Sequence, residues 1–425
     1  MSSQDGPSIL LVAQYSPPSF VVAARRVAGM TKYLARLGCH VTVLTSCFSG
    51  KAPIEGAEVV IRTSDLLASS LNWRQRRDRS ASGTAPVASP PSRVESLVVP
   101  DVSVVSWLPF ALRAGHGLCP DCVITTSPPQ SAHLVGLRLA RRGVPWIAEL
   151  RDGWRFDPPR GDWPLKAQRA LDSRLERSVL RRADALVAVT RPIAEDLERR
   201  LGREVELITN GFDPEDTADG QSERSPFLDS GRFSLVHTGS MGFTGASAGH
   251  LVDGLRLLQD EAPKVAAGLE VVFAGLLSSD EAKLLGSPDL AGIVHFIGSL
   301  GREDVLRLQR AADALLVVTE GAKRPSVATG KLFEYLGARR PILVLGNETA
   351  AAEIVKETGS GFSTSATDPR QIADAVARLM VAPQLSVDAA VLEAYAYPKI
   401  AARYHELIER TVDQRRNTGD SAAAT

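Results

Sequence analysis

Lys331 and Glu334 are the residues of this chain whose types and spacing most readily suggest chemistry. They sit in Thr329-Gly330-Lys331-Leu332-Phe333-Glu334-Tyr335-Leu336-Gly337, a polar turn running into a short amphipathic segment. Ala338-Arg339-Arg340-Pro341 breaks the pattern, and the all-apolar Ile342-Leu343-Val344-Leu345 follows. Thr329 is placed to cap a helix, and Gly330 lets a ligand come close to the backbone. Free N–H groups at such a helix start, with the positive end of the dipole and a lysine beside them, attract phosphate. Lys331 and Glu334 share one helix face, so a cation for a diphosphate and a carboxylate for ribose hydroxyls would stand side by side. The same window also suits a surface Lys–Glu pair on an ordinary amphipathic helix.

The elements that must position these residues read as two α/β series. In the first, apolar runs at 8–13, 41–44, 58–61, 122–126, 146–150, 185–190 and 205–209 predict strands. Helical periodicity at 23–37, 131–142, 164–182 and 192–201 falls between them. A strand, helix, strand opening predicts a parallel, doubly wound sheet. The second series has strands at 233–237, 270–274, 293–297, 314–318 and 342–345, and helices at 248–259, 302–312, 350–358 and 369–380. The expected domains are 8–212, with a mobile insertion at 72–96, and 231–395. A helix over 396–414 is read as crossing back to the first domain, and 415–425 as a disordered tail. Two like-sized halves predict a central cleft with ligands at the C-terminal ends of the strands. The turn Gly239-Ser240-Met241-Gly242 ends the first strand of the second series. It offers backbone N–H groups to an anion, or is a tight turn that needs glycine for its own geometry.

Composition excludes several classes. The content of apolar, charged, Gly and Pro residues is that of a globular protein of two domains rather than a disordered or fibrous one. The net charge is zero, yet residues 1–212 carry 28 Lys and Arg against 20 Asp and Glu, and residues 213–425 carry 21 against 29. The basic front half predicts peripheral contact with an anionic membrane or a phosphate-bearing acceptor, or a solvated basic surface. The run 9–13 is too short for a signal peptide or a membrane span, so a cytoplasmic protein is expected, at most peripheral at the inner face of the membrane. Cys119-Pro120-Asp121-Cys122 has redox or zinc spacing, but no second pair completes it, and two incidental thiols are expected. No HxH, DxD or HExxH grouping appears, and no metal or cofactor is expected. Nothing in the motifs or charge points to nucleic acid.

Four segments in order resemble a family. They are Thr125-Thr126-Ser127-Pro128-Pro129-Gln130-Ser131, Glu149-Leu150-Arg151-Asp152-Gly153-Trp154, Ile208-Thr209-Asn210-Gly211-Phe212-Asp213, and the stretch beginning at Thr329. Together they look like the retaining glycosyltransferases of the GT-B fold, group 1 or family-four type, and most like bacterial polysaccharide and glycoconjugate enzymes. The resemblance implies two Rossmann-like domains facing a central cleft and transfer of a sugar from a nucleotide-diphosphate donor to a hydroxyl. The acceptor would be lipid-linked or a small metabolite. It implies donor contacts at Gly239, Ser240, Gly242, Thr329, Gly330, Lys331, Glu334 and Asn210, and places Arg151 and Asp152 as catalytic candidates. A noncatalytic subunit that binds nucleotide sugar, or an epimerase or hydrolase of the same fold, are the alternatives. The chain departs from the family at Ser326, where a first glutamate is usual, with Glu320 nearby. The Gly239 turn lacks the usual Arg and Lys, for which Lys323 and Arg324 are substitutes, and Ser16-Pro17-Pro18-Ser19-Phe20 replaces a Gly-rich loop.

Overall fold

The computed structural model describes residues 6–18, 22–67, 98–158, 163–218, 225–241, 248–319, 324–381 and 386–423. The chain divides into two compact units. The first holds the described residues up to Gly211 and those from Tyr397 onward; the second is Phe212–Ala396. The expected insertion at 72–96 lies outside the described residues.

In the first unit seven parallel strands follow the order β3-β2-β1-β4-β5-β6-β7. They are β1 (Ser8–Val12), β2 (His40–Ser46), β3 (Ala57–Thr63), β4 (Cys122–Ser127), β5 (Trp146–Leu150), β6 (Ala185–Ala188) and β7 (Glu206–Leu207). The crossovers are α1 (Val22–Arg36), α2 (Leu108–Gly115), α3 (His133–Ala140), α4 (Lys166–Leu180) and α5 (Arg191–Leu201). Strand periodicity sorts β1 between two cores: Leu10 and Val12 pack with Trp107 and Trp146, while Ile9, Leu11 and Ala13 pack with α1. Central strands buried on both faces are mostly apolar, which makes them readable as runs.

The second unit repeats the scheme with six parallel strands in the order β10-β9-β8-β11-β12-β13. These are β8 (Phe233–Thr238), β9 (Leu269–Ala274), β10 (Val294–Gly298), β11 (Ala314–Val318), β12 (Ile342–Leu345) and β13 (Gly361–Thr364). Its main helices are α6 (Gly249–Glu261), α7 (Ser279–Leu285), α8 (Arg302–Ala311), α9 (Gly330–Ala338), α10 (Ala350–Thr358) and α11 (Pro369–Val381). The winding direction reverses between β8 and β11, so their C-terminal ends open the crevice where such sheets take ligands. Sequence reading missed α2, α7 and β13. Gly-Phe-Ser-Thr has no apolar run, and only its pairing with β12 makes it a strand.

The chain returns to the first unit as α12 (Tyr397–Ala423), whose Tyr397, Ile400, Tyr404 and Ile408 complete the core beside α1. The stretch expected as a tail from 415 is assigned to this helix as far as Ala423. Arg415 donates to Asp184 Oδ1 at 3.2 Å and to the Ala140 carbonyl at 3.2 Å, and Arg416 lies 3.8 Å from Asp121. Composition reads that stretch as polar and unstructured; these contacts tie its first two residues, Arg415 and Arg416, to the first unit. Among the described residues no helix is long and apolar enough to cross a membrane.

Candidate functional site

The ends of β8 and β11 and the start of α9 build one small site in the second unit. After Thr238 the chain turns at Gly239, whose φ of +84° only glycine adopts readily. Its N–H donates to the Ala274 carbonyl at 2.7 Å. Behind it lies Gly275, with φ +147°, where an added Cβ would stand 2.5 Å from the Gly239 oxygen. Gly275→Ala is therefore expected to destabilise the second unit by roughly 1–3 kcal/mol through backbone strain, read as a lower thermal midpoint. An unchanged midpoint would show that the turn adjusts freely.

Thr329 sits at the N-cap of α9 with φ −65° and ψ 150°, but its side chain makes no capping bond. Its Oγ1 is buried with no hydrogen-bond partner. Gly330 opens the helix. Lys331 reaches back to the turn, its Nζ donating to the Ser240 carbonyl at 2.8 Å and to His237 Nε2 at 3.1 Å. His237 Nδ1 lies 2.9 Å from the Leu316 carbonyl and donates to it, which leaves Nε2 as the acceptor for Lys331. Burial, and then the Lys331 charge, hold the imidazole pKa well below its ordinary value. A neutral histidine thus fixes the lysine against the Gly239 turn.

Glu334 lies one turn along the same face. Arg302 Nη1 donates to its Oε1 at 3.0 Å and Gln309 Nε2 to its Oε2 at 3.3 Å. Gln309 Nε2 also donates to Thr238 Oγ1 at 2.9 Å, and its Oε1 is buried without a partner. Tyr335 accepts the Thr238 N–H at 2.8 Å, and burial pushes its phenol up to about 12. Two links, Tyr335 to Thr238 and Lys331 to Ser240, therefore bind α9 to the end of β8 as one rigid piece. Such an array holds a cation, a helix N-terminus and turn amides on one side, and a carboxylate one turn away, which matches a diphosphate joined to a pentose.

Thr329, Gly330, Lys331, Gly239 and Ser240 thus come together, with Glu334 beside them. Gly242, Glu320 and Lys323 lie outside the described residues. Asn210 belongs to the first unit, where its Oδ1 accepts from Arg26 Nη1 at 3.4 Å. Arg151, also in the first unit, spends its Nε on the Ser127 carbonyl at 3.0 Å and its Nη2 on the Pro128 carbonyl at 2.9 Å. It braces the turn after β4, and burial lowers its pKa. Asp152 follows it, half-buried, at the C-terminal end of β5. Trp154 is a core residue, fully buried, donating to Asp172 at 2.9 Å.

Sequence reasoning missed His237, Gln309 and Arg302, and in the first unit it missed the ion pair of Arg26 and Glu149. Arg26 Nε donates to Glu149 Oε2 at 2.9 Å and Thr126 Oγ1 to Oε1 at 2.5 Å; the Tyr404 hydroxyl donates to Oε2. Arg26 Nη2 donates to the Ile208 carbonyl at 3.0 Å. The cue was present: a histidine in Phe-Ser-Leu-Val-His-Thr and a glutamate in Trp-Ile-Ala-Glu-Leu interrupt strands that are otherwise apolar or carry only small hydroxyls. The Cys119–Cys122 pair takes no part, since Cys122 is buried in β4 and burial pushes its thiol up. Among the described residues no group of three His, Cys, Asp or Glu converges on a point that could hold a metal.

A family model described as a glycosyl transferase 4-like domain matches residues 23–211, and one described as glycosyl transferases group 1 matches 239–381, together most of the chain. No curated protein matches it in sequence. Among solved structures, the N-terminal domain of Candida albicans trehalose-6-phosphate phosphatase is similar at TM-score 0.66 and 12% identity, covering 97% of this chain and 98% of that one. Sucrose-phosphate synthase from Thermosynechococcus elongatus follows at 0.58 and 15%, covering 98% and 99%. Anabaena HepE in complex with UDP and glucose stands at 0.57 and 14%, covering 98% and 100%. What the chain shares with them is the fold, two Rossmann-like domains of the GT-B type.

Proposed function

This chain belongs to the group 1 glycosyltransferases, and on that footing we propose that it is a retaining enzyme using a nucleotide-diphosphate sugar held by the second unit. The observation that carries the reading is Lys331, pinned at 2.8 Å from the Ser240 carbonyl on the Gly239 turn, next to a helix start whose Thr329 hydroxyl is buried and unpartnered. As the bond from the anomeric carbon to the diphosphate oxygen breaks, negative charge grows on the leaving group. Lys331, the α9 N-terminus and the turn amides stabilise that charge more than they stabilise the ground state. Glu334 accepts hydrogen bonds from the ribose hydroxyls, with Arg302 and Gln309 holding it in place.

The acceptor oxygen forms the new bond on the face the leaving group vacates, and its proton passes to a phosphate oxygen of the departing diphosphate. Asp152 is the residue proposed to hold the acceptor hydroxyl, and Arg151 positions it by fixing the end of β4. No metal is assigned to the reaction. HepE was solved with UDP and glucose, so uridine diphosphate sugars are the first donors to test. The acceptor class, a lipid-linked saccharide or a small metabolite, follows from the sequence resemblance and belongs to the same proposal, as does action at the cytoplasmic side.

A panel of nucleotide sugars tested for thermal stabilisation identifies the donor, since a ligand at 100 times its Kd adds about 2.7 kcal/mol. Proton NMR of the product then reports the anomeric configuration, and inversion would overturn the retaining assignment. Glu334→Gln is expected to raise donor KM about 10- to 100-fold, the worth of a hydrogen bond to a charged group, with kcat changed less. Initial rates against donor concentration check this, and an unaltered KM would remove Glu334 from the donor site.

A further inference from the structure

Arg151 and Asp152 follow the C-terminal end of β5. The opposite edge of the same sheet holds a cavity of about 520 Å³, lined by Arg141, Arg181, Arg182, Arg203, Arg415 and Asp184, with Leu137 in its wall. Asp184 immediately precedes β6, and its Oδ2 accepts the Trp146 N–H at 2.8 Å, so the cavity sits at the N-terminal ends of β5 and β6. β5 alone, five residues long, sets the two levels about 16 Å apart.

Two of the guanidinium groups form a frame. Arg203 Nη1 donates to the Leu180, Arg181 and Ala183 carbonyls at 3.1, 3.2 and 2.8 Å, and its Nη2 to the Asp184 carbonyl at 3.0 Å. Arg415, from α12, holds Asp184 Oδ1 and the Ala140 carbonyl. Arg182 donates back to the Ser178 carbonyl at 2.7 Å. Arg141 and Arg181 are exposed, and among the described residues their side chains have no partner. Cations beside helix C-termini are ordinary, but here they are in surplus. α3, α4 and α5 already carry Arg138, Arg177, and Arg199 with Arg200 in their last turns. Half a negative charge for each of those three helix ends, and a full one for Asp184, still leaves the lining with an excess of about two to three positive charges.

We propose that this cavity is a second ligand site, for a soluble polyphosphate: an inorganic chain or the phosphate chain of a nucleotide. Its volume is that of a small-molecule pocket, and guanidinium forks match phosphate oxygens two at a time. Arg203 and Arg415 are half-buried, so their charge is felt most by a ligand that enters the cavity. A flat lipid surface or a nucleic-acid duplex would meet only the exposed Arg141, Arg181 and Arg182. A bound polyphosphate would tie α12 to the ends of α3 and α4 through Arg415, Arg141 and Arg181. Its distance from Arg151 and Asp152 makes this an effector site, separate from the acceptor.

The test is isothermal titration of the full chain with sodium tripolyphosphate and, in parallel, with adenosine triphosphate free of magnesium. The donor site proposed above also attracts phosphate, so Lys331→Ala serves as the parent for the cavity variants, and either site can fail while the other stands. The Lys331→Ala chain is expected to keep binding tripolyphosphate, more weakly as salt rises. In that background R141Q/R181Q should weaken binding about 100-fold, the loss of two charge-assisted hydrogen bonds of about tenfold each. R174Q/R177Q removes the same charge from exposed positions of α4 outside the cavity and should bind as its parent does. Circular dichroism checks that each variant is folded, and the single variants R141Q and R181Q keep the test valid should the pair fail to fold. Tighter binding of adenosine triphosphate assigns the site to nucleotides, and equal or weaker binding assigns it to the phosphate chain alone; both support it. The proposal is overturned if Lys331→Ala abolishes all tripolyphosphate binding, if R141Q/R181Q binds as its parent does, or if R174Q/R177Q weakens binding equally. Sedimentation with phosphatidylglycerol vesicles together with no tripolyphosphate binding would overturn it in favour of a lipid surface.

Discussion

Lys331→Ala is expected to lower donor-dependent turnover on the order of 100- to 1,000-fold while the protein stays folded. In the proposed mechanism the lysine acts where charge develops on the leaving diphosphate, and losing one preorganised donor of that kind costs about this much. Its ammonium is oriented before substrate arrives, by the Ser240 carbonyl and by His237 Nε2, so little reorganisation remains to be done during the reaction. His237→Ala should act through Lys331 and cost less, about tenfold, because the Ser240 contact survives. His237→Gln, which keeps an acceptor near the Nε2 position, should recover part of that loss. Burial and the Lys331 charge keep His237 neutral, so donor kinetics should show no inflection near the ordinary imidazole pKa of about 6.5. Steady-state rates across pH for the three variants decide the matter. Parent-like turnover in Lys331→Ala would sink the electrostatic account of the site.

Glu149→Gln should destabilise the first unit by about 3–5 kcal/mol, because it strands the buried Arg26 charge without its counterion. Its thermal midpoint should fall on the order of 10 °C. The two side chains are 3% and 2% exposed and tie α1, β4, β5 and α12 to one point. Burial by itself would raise the carboxyl pKa. The Arg26 charge, with hydrogen bonds from Arg26, Thr126 and Tyr404, more than reverses this and leaves it lowered. A carboxylate with a depressed folded pKa contributes its full stability above its unfolded pKa of about 4.5 and loses it as pH falls through the folded value. The gap between parent and variant should therefore be widest near neutral pH and close in acid. Thermal unfolding of both proteins across that range measures it, and a gap that is small at neutral pH or grows in acid would refute the ion pair's role. Replacing both partners with apolar residues of similar size should cost much less than either single change.

The sequence alone was enough to read the parallel strands, the two series and the α9 segment. A central parallel strand is buried on both faces and is mostly apolar, so β1, β4, β9 and β11 stand out as runs. The start of α9, proposed to bind phosphate, is likewise local, since Thr329, Gly330 and Lys331 are neighbours in the chain. What holds those groups is not local. His237 is 94 residues from Lys331, and Glu149 meets Arg26 across 123 residues and Tyr404 across 255. Asn210 is a further case: its motif is local, while the Arg26 side chain that donates to its Oδ1 comes from 184 residues away. The contacts of Arg415 and Arg416 likewise need Asp184 and Asp121, which no local pattern could supply. Backbone propensity and burial period are written residue by residue. The partner of a buried polar group is chosen only when distant strands and helices close around it, because its desolvation must then be met by whatever group lies within hydrogen-bond reach.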